Sequence, residues 1–296
     1  MPMCWRSGSI RVCGRRDEFH MKIFGKTVAA SAVGGGLIVV ALAGLVLLAP
    51  LVAPHGETET VGDIWLLPGA EHLLGTDSIG RDMLSRLLYG GRTTLGIALA
   101  VSLLSFSLGI VSGFAAVVLG RYVDLLLSRL VDTLMAIPVL IFALMILSVL
   151  GTSVPVLICT IAVLDATRVF RLARLVAQGI MVQEYVEAAR LRGEGLGWII
   201  RREILPNAVP ALLAEFGMRF GFTILFVAGL SFLGLGIQPP YADWGGMVRD
   251  NAQAINFGGI APLFPALAIA LLTIGINLVV DWLLSVRAQG QAGSMA

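Results

Sequence analysis

The chain has 296 residues, 57% hydrophobic and only 14% charged, with a net charge of +2. Soluble domains carry about 25% charged residues, so this composition, with a mean hydropathy of +0.89, excludes an ordinary soluble enzyme or binding module. The near-balanced charge gives no ground for a nucleic-acid partner.

Residues 1–30 form a basic segment carrying Arg6, Arg11, Arg15, Arg16, Lys22 and Lys26. The apolar run behind it is roughly 23 residues, longer than the 7–15 of a signal-peptide core, and no small-x-small site follows it cleanly. An uncleaved anchor is expected. Met21 opens a compact MKIFGKT lead-in, so residues 1–20 are read as an over-extended start. The FGKT at 24–27 matches the end of a phosphate-binding loop, but His20 stands where its first glycine belongs. No strand is expected ahead of it, so the match is read as chance.

Six apolar runs follow, each near the ~20 residues that cross a ~30 Å hydrocarbon core. The first covers about Ser31–Ala53, and the second, Thr94–Leu119, holds no charge. The third covers Thr133–Leu150 with Pro138 near its start, tolerable where neighbours satisfy the freed carbonyl. The fourth, Val154–Phe170, carries Asp165 and Arg168 near its end, and only GTS separates it from the third, which predicts an antiparallel hairpin. The fifth lies within Ala208–Gly236 and the sixth within Leu263–Leu284.

Orientation follows from the cations. With the N-terminus in the cytoplasm, segments 1–30, 120–132, 168–207 and 285–296 hold 16 of the 21 Lys and Arg residues. The opposite side, 54–93 and 237–261, holds only Arg81, Arg86, Arg92 and Arg249. The expected architecture is an all-α polytopic membrane protein of about six transmembrane helices with N- and C-termini cytoplasmic. Residues 31–286 form its membrane domain, 179–207 a cytoplasmic loop, and 287–296 a tail.

Enzyme chemistry is not visible. There is no HExxH, no His/Cys cluster and no GxSxG elbow. Cys4, Cys13 and Cys159 form neither a CxxC pair nor a disulfide framework and are read as buried or idle thiols. His55 and His72 share the outer loop but are read as solvated, so neither a metal nor a catalytic residue is expected.

The charged stretch 184–210, EYVEAARLRGEGLGWIIRREILPNAVP, interrupts this oily chain. A helix from near Gly179 is expected to carry Glu187, Ala188 and Ala189, to bend at Gly193, Gly195 and Gly197, and to resume over Trp198–Leu205 until Pro206 stops it. Adjacent alanines would let a partner's backbone approach. Physics alone leaves two readings open: a docking knob, or an amphipathic segment lying on anionic membrane lipid.

Elsewhere, Asp77 is expected to cap a helix over Ser78–Tyr89, with Arg81, Asp82 and Arg86 pairing along it. That helix is read as a membrane-surface element orienting the second span. Glu215 and Arg219, four apart in the fifth span, are expected to pair or to line a wet pathway, Arg219 snorkelling toward the cytoplasm. Ser231, Gly234 and Gly236 are expected to permit close packing at a gate or subunit interface. Asp243 and Trp244 are read as a receptor contact or a loop anchor at the membrane interface.

The EAA-x3-G followed by ILP resembles the cytoplasmic-loop motif of permease subunits of binding-protein-dependent ABC importers: Glu187, Ala188, Ala189, Gly193, Leu205 and Pro206. HLLGTDSIGRDMLSRLLYGGRTTL (72–95), SFLGLG (231–236), DWGGM (243–247) and NLVVD (277–281) resemble the C-type subunit of the dipeptide, oligopeptide and nickel branch. Ile204 directly before Leu205 fits the peptide branch, whereas Arg192 and the WLLSVRAQG ending depart from the family pattern.

The resemblance implies a type I ABC importer permease fold and a coupling helix that docks on a separate ATPase subunit. It implies as partners a homologous B-type permease, two ATP-binding subunits holding ATP and Mg, and a periplasmic or lipid-anchored solute-binding protein. This chain itself would bind no cofactor. Short peptides are the expected cargo, with nickel, opines and glutathione-like solutes as alternatives. A secondary transporter with Glu215 or Asp165 as proton site is the rival reading, although no inverted repeat is apparent.

Overall fold

The computed structural model describes the backbone of residues 20–23 and 26–294 and the side chains of residues 31–285. Strands β1 (His20–Ile23) and β2 (Lys26–Ala29) pair antiparallel, His20 opposite Ala29. A strand therefore does precede FGKT, contrary to expectation, but Lys26 enters β2 and not the helix start that a phosphate loop requires. The expected start at Met21 and the readings of Cys4 and Cys13 turn on residues 1–19, outside the described residues.

Helix α1 (Ala30–Leu47) and the single turn α2 (Ala49–Val52) divide the first expected span, because Pro50 lacks the N–H that would continue α1. Helix α3 (Met83–Val118) runs unbroken for 36 residues, so the expected surface helix and second span are one rod. Its length is about 54 Å. Helices α4 (Arg121–Met135) and α5 (Val139–Leu150) meet at 86°. The third expected span is thus split: Pro138 cannot extend α4 and stands instead at the start of α5. At 12 residues α5 reaches only about 18 Å.

Gly151–Ser153 join α5 to α6 (Val154–Met181), giving the predicted tight connection. Then come α7 (Glu184–Leu191), α8 (Leu196–Ile199), α9 (Leu205–Phe232), α10 (Trp244–Asp250) and α11 (Leu263–Ser294). A π-helical turn, Ile200–Ile204, fuses α8 to α9, and a 3-10 turn, Ala252–Phe257, follows α10. The residues expected as a separate tail continue α11.

Among the described residues, Met83–Val118, Leu196–Phe232 and Leu263–Ser285 are long and apolar enough to cross a membrane, and the bent pair α4–α5 makes a fourth candidate. All six expected runs are helical. However, α1 is short, α5 is half a span, and α6 carries Asp165, Arg168, Arg171 and Arg174.

Small residues set the packing. A Cβ on Gly109 of α3 would stand 2.5 Å from Val169 Cβ of α6, and one on Gly113 2.8 Å from Ala173 Cβ. This GxxxG face lets the two backbones close on each other. Gly35 on α1 meets the Gly275 carbonyl of α11 in the same way, and Gly217 of α9 takes Val280 of α11. Outward, Leu37, Val40, Val111, Val149 and Phe222 stand exposed, a surface suited to hydrocarbon and costly in water.

At one end of the bundle, residues 54–82 strap over the start of α3. The expected cap at Asp77 is displaced. Its Oδ1 accepts from Ile79 N and Arg81 N, and its Oδ2 accepts from Arg81 Nε at 2.7 Å with Arg86 Nη1 3.4 Å away. Both carboxylate oxygens are spent on the turn, so Asp82 caps α3 instead, accepting from Ser85 N at 2.8 Å.

Candidate coupling and pathway site

The charged stretch folds at the opposite end of the bundle. Helix α6 runs through Gly179 to Met181 and α7 starts afresh at Glu184, so the expected helix start near Gly179 moves past a break at Val182–Gln183. Helix α7 ends in a Schellman turn: Gly193 N donates to Arg190 O at 2.9 Å and Glu194 N to Ala189 O at 3.2 Å. Gly193 takes φ +83°, a conformation L side chains resist. Gly195 and Gly197 need no such freedom, so the three-glycine bend reduces to one.

Val186, Ile199 and Ile204 are buried against Phe114, Ala173, Ala177 and Leu212, and Ala189 is buried as well. The two alanines therefore separate. Ala189 is spent on this chain's own core, and only Ala188, beside Glu187, faces outward. Glu187, Gly193, Leu205 and Pro206 are likewise exposed, as are Arg190, Arg192, Arg201, Arg202, Leu191 and Trp198. Among the described residues no salt bridge joins Glu184, Glu187, Arg190, Arg192, Arg201 or Arg202 to another charge; Arg192 lies 6.0 Å over the Trp198 ring.

Pro206 does not stop the second helix as expected. Leu205 N donates to Ile200 O across a π turn, and Pro206 falls in the first turn of α9, where no donor is needed. The result is one helix of 37 residues, Leu196–Phe232. Its exposed tip and its membrane-spanning body are one continuous helix.

Inside the bundle, Glu215 and Arg219 pair as expected, Nε to Oε1 at 2.6 Å. Arg219 does not snorkel; its Nη1 turns to Asp165 Oδ1 on α6 at 3.7 Å, and Ser105 Oγ on α3 donates to Asp165 Oδ2 at 3.2 Å. One polar cluster thus ties α3, α6 and α9. It adjoins a small pocket lined by Asp165, Arg168, Phe222, Thr223 and Phe226.

Ser231, Gly234 and Gly236 serve a different purpose from the helix packing expected of them. Helix α9 ends at Phe232, and a second Schellman turn follows: Gly234 N to Ser231 O at 3.0 Å and Leu235 N to Leu230 O at 3.0 Å. Gly234 has φ +88°, and a Cβ on Gly236 would overlap Ser231 Oγ. These residues reverse the chain.

Asp243 caps α10 by accepting from Gly246 N at 3.1 Å, and burial pushes its carboxyl above the usual range. Trp244 N donates to Thr94 Oγ1 at 3.1 Å and its Nε1 to Leu87 O at 2.9 Å. Both side chains are buried within this chain, so they offer no surface for the expected receptor contact. They anchor the loop to α3.

Two further expectations change. Cys159 is a free, exposed thiol and not a buried one. His55 and His72 are partly buried and adjacent, ring centroids 5.8 Å apart, and not solvated singly. Sequence reasoning also missed Gly109-xxx-Gly113, which was legible as a small-xxx-small signature, and Ser105, whose partner lies 60 residues away.

A helical bundle with small-residue seams, an outward apolar surface and a polar cluster tying three helices is the architecture of a polytopic membrane protein. Residues 105–290 match the family described as binding-protein-dependent transport system inner membrane component. The chain belongs to this family, an inner-membrane permease of the ABC importer type. It is 34% identical over 253 residues to the dipeptide transport system permease protein DppC of Alkalihalophilus pseudofirmus, covering 85% of this chain and 83% of that one. It is 36% identical over 216 residues to the nickel transport system permease protein NikC of Escherichia coli, covering 73% and 78%. The crystal structure of an amino acid ABC transporter shares the fold at TM-score 0.51 and 18% identity, over 66% of this chain and 91% of that one.

Proposed function

We propose that this permease forms half of a translocation pathway for short peptides and couples it to separate ATPase subunits. The observation that carries the reading is the unbroken 37-residue helix whose tip, like Glu187 and Ala188, is exposed, its charges making no salt bridge among the described residues. Glu187, Ala188, Gly193, Leu205 and Pro206 form the face offered to an ATPase groove, and Ala189 seats that face on the bundle. Closure of two ATPases would move the tip, and α9 would transmit the movement into the bilayer. Such a lever works only if the docked contacts differ between the two states.

The remaining assembly follows from this reading: a homologous B-type permease completes the pathway, two ATP-binding subunits hydrolyse ATP with Mg, and a periplasmic or lipid-anchored receptor delivers the solute. Both termini lie in the cytoplasm, in keeping with the cation asymmetry. The Asp165–Arg219–Glu215 cluster belongs to the pathway or its gate. Pairing with Arg219 leaves neither acid the free carboxyl that a proton-driven transporter would use, so the ATP-driven reading is favoured.

The test is uptake of labelled dipeptide and of nickel with and without this gene in its host, with ATP depleted in parallel. Loss of dipeptide uptake, restored by the gene and dependent on ATP, is expected. Loss of nickel uptake alone would move the cargo to the metal branch. Loss of neither would move it to opines or glutathione-like solutes. Uptake that survives ATP depletion but not collapse of the ion gradient would overturn the coupling scheme.

A further inference from the structure

We propose that His55, His72 and Asp82 form a binding site for a divalent transition-metal cation of the zinc type, which staples the strap over residues 54–82 to the start of α3. One ligand atom from each residue lies within 4.8 Å of the other two. His72 Nδ1 and Asp82 Oδ1 are 3.4 Å apart. That is the spacing of two ligands on a tetrahedral ion, since bonds of about 2.0–2.2 Å at the tetrahedral angle hold their donors about 3.4 Å apart.

The surroundings fit a cation better than a plain ion pair. Among the described residues, Nδ1 of His55 and Nδ1 of His72 are both shut off from solvent with no hydrogen-bond partner. Orphaned buried nitrogens are rare because each loses its hydration without return, and a metal ion would satisfy them. Asp82 is almost wholly buried, yet only its Oδ2 is consumed, accepting from Ser85 N at 2.8 Å and Ser85 Oγ at 2.7 Å. Oδ1 is left facing His72.

Ser85 Oγ also accepts from His55 N at 3.1 Å, so one hydroxyl orients two of the three ligand-bearing residues. Outer partners of this kind position metal-binding carboxylates and imidazoles. The field agrees as well. Residues 54–82 contain six carboxylates, Glu57, Glu59, Asp63, Glu71, Asp77 and Asp82, against the single cation Arg81.

Two imidazoles and one carboxylate suit Zn2+, with a water in the fourth position, and would also accept Ni2+ or Cu2+. The ligands come from the two ends and the middle of the strap, so one ion would add a cross-link beside the bond from His55 N to Ser85 Oγ. The inference does not depend on which solute is transported, since it concerns a resident ion.

The test uses the full chain in detergent, purified on a tag without histidine, stripped with EDTA, loaded with Zn2+ and desalted. About one zinc ion per chain is expected to remain, as for a single three-ligand site. It should be lost in the His55→Gln/His72→Gln double variant. Ser85→Ala, which keeps all three ligands but frees them, should weaken Zn2+ roughly 10–100-fold. Replacement by Co2+ should give the intense visible bands of a tetrahedral centre in the wild-type chain, a readout that needs no variant to fold. A wild-type chain that keeps no more Zn2+ than the double variant, or whose Co2+ spectrum is that of the hydrated ion, overturns the proposal.

Discussion

Gly193 offers the sharpest test of the coupling lever. Its φ of +83° closes α7, yet no atom lies within 4 Å of where a Cβ would stand. Substitution therefore acts on the backbone alone, without a steric clash. Holding an L residue in the left-handed region costs about 1–2 kcal/mol, which is roughly a 5–30-fold change in the population of the correct turn. Asn tolerates that region and should cost less than Ala. Pro cannot adopt it and also deletes the bond from Gly193 N to Arg190 O. Substrate-stimulated ATP hydrolysis of the assembled transporter should therefore fall in the order glycine, Gly193→Asn, Gly193→Ala, Gly193→Pro, with stimulation absent in the last. Co-purification of all subunits separates lost coupling from lost assembly. Wild-type stimulation in an assembled Gly193→Pro transporter would refute the lever, and equal losses in Asn and Ala would show that surface shape, not the left-handed turn, matters.

Three further outcomes are expected. Gly109→Val should drive α3 off α6, destabilising by about 1–3 kcal/mol as overpacking does, whereas Gly96→Ala, with nothing near its Cβ position, should leave the melting temperature in detergent unchanged or higher. Arg219→Met strands Asp165 and Glu215 together and should cost more than Glu215→Gln, which leaves Arg219 its contact with Asp165. Its cost should sit toward the low end of the roughly 3–5 kcal/mol of a broken buried pair, because the cluster is partly open; equal melting temperatures would contradict this geometry. Arg174 bonds through Nε and Nη2 to Asp124 and so ties α6 to α4. Asp124→Asn should therefore lower the melting temperature in detergent, and an unchanged value would discount the pair.

The apolar runs and the charged interruption were legible because they depend on composition over many residues. What failed depended on which way single side chains turn. On a helix as short as α7, Ala188 and Ala189 look alike in sequence, and only the folded chain leaves the first exposed and the second fully buried. Asp243 and Trp244 have the polarity of a contact surface, but both are buried, and the partners of Trp244, Thr94 and Leu87, lie more than a hundred residues away on α3. Asp77 had the right residue type for a cap and lost the role to Asp82 because Ile79 N and the backbone and guanidinium of Arg81 took its oxygens. His55 and His72 looked solitary for the same reason, since the strap that folds them together has no periodicity to read.

Proline shows most clearly how the local rule was overridden. Pro138 and Pro206 both signal a helix end, yet only Pro138 delivers one, with an 86° turn between α4 and α5. Before Pro206 the helix widens to a π turn, Leu205 N reaches back to Ile200 O, and Asn207 Nδ2 donates to Glu203 O at 2.6 Å. The missing donor then falls where the new register leaves one unneeded, and the rod continues. A continuous helical pass through residues 200–206 is what makes the exposed tip and the span one body. A lever needs that continuity, and a flexible loop of the same composition would dissipate the movement before it reached the bilayer.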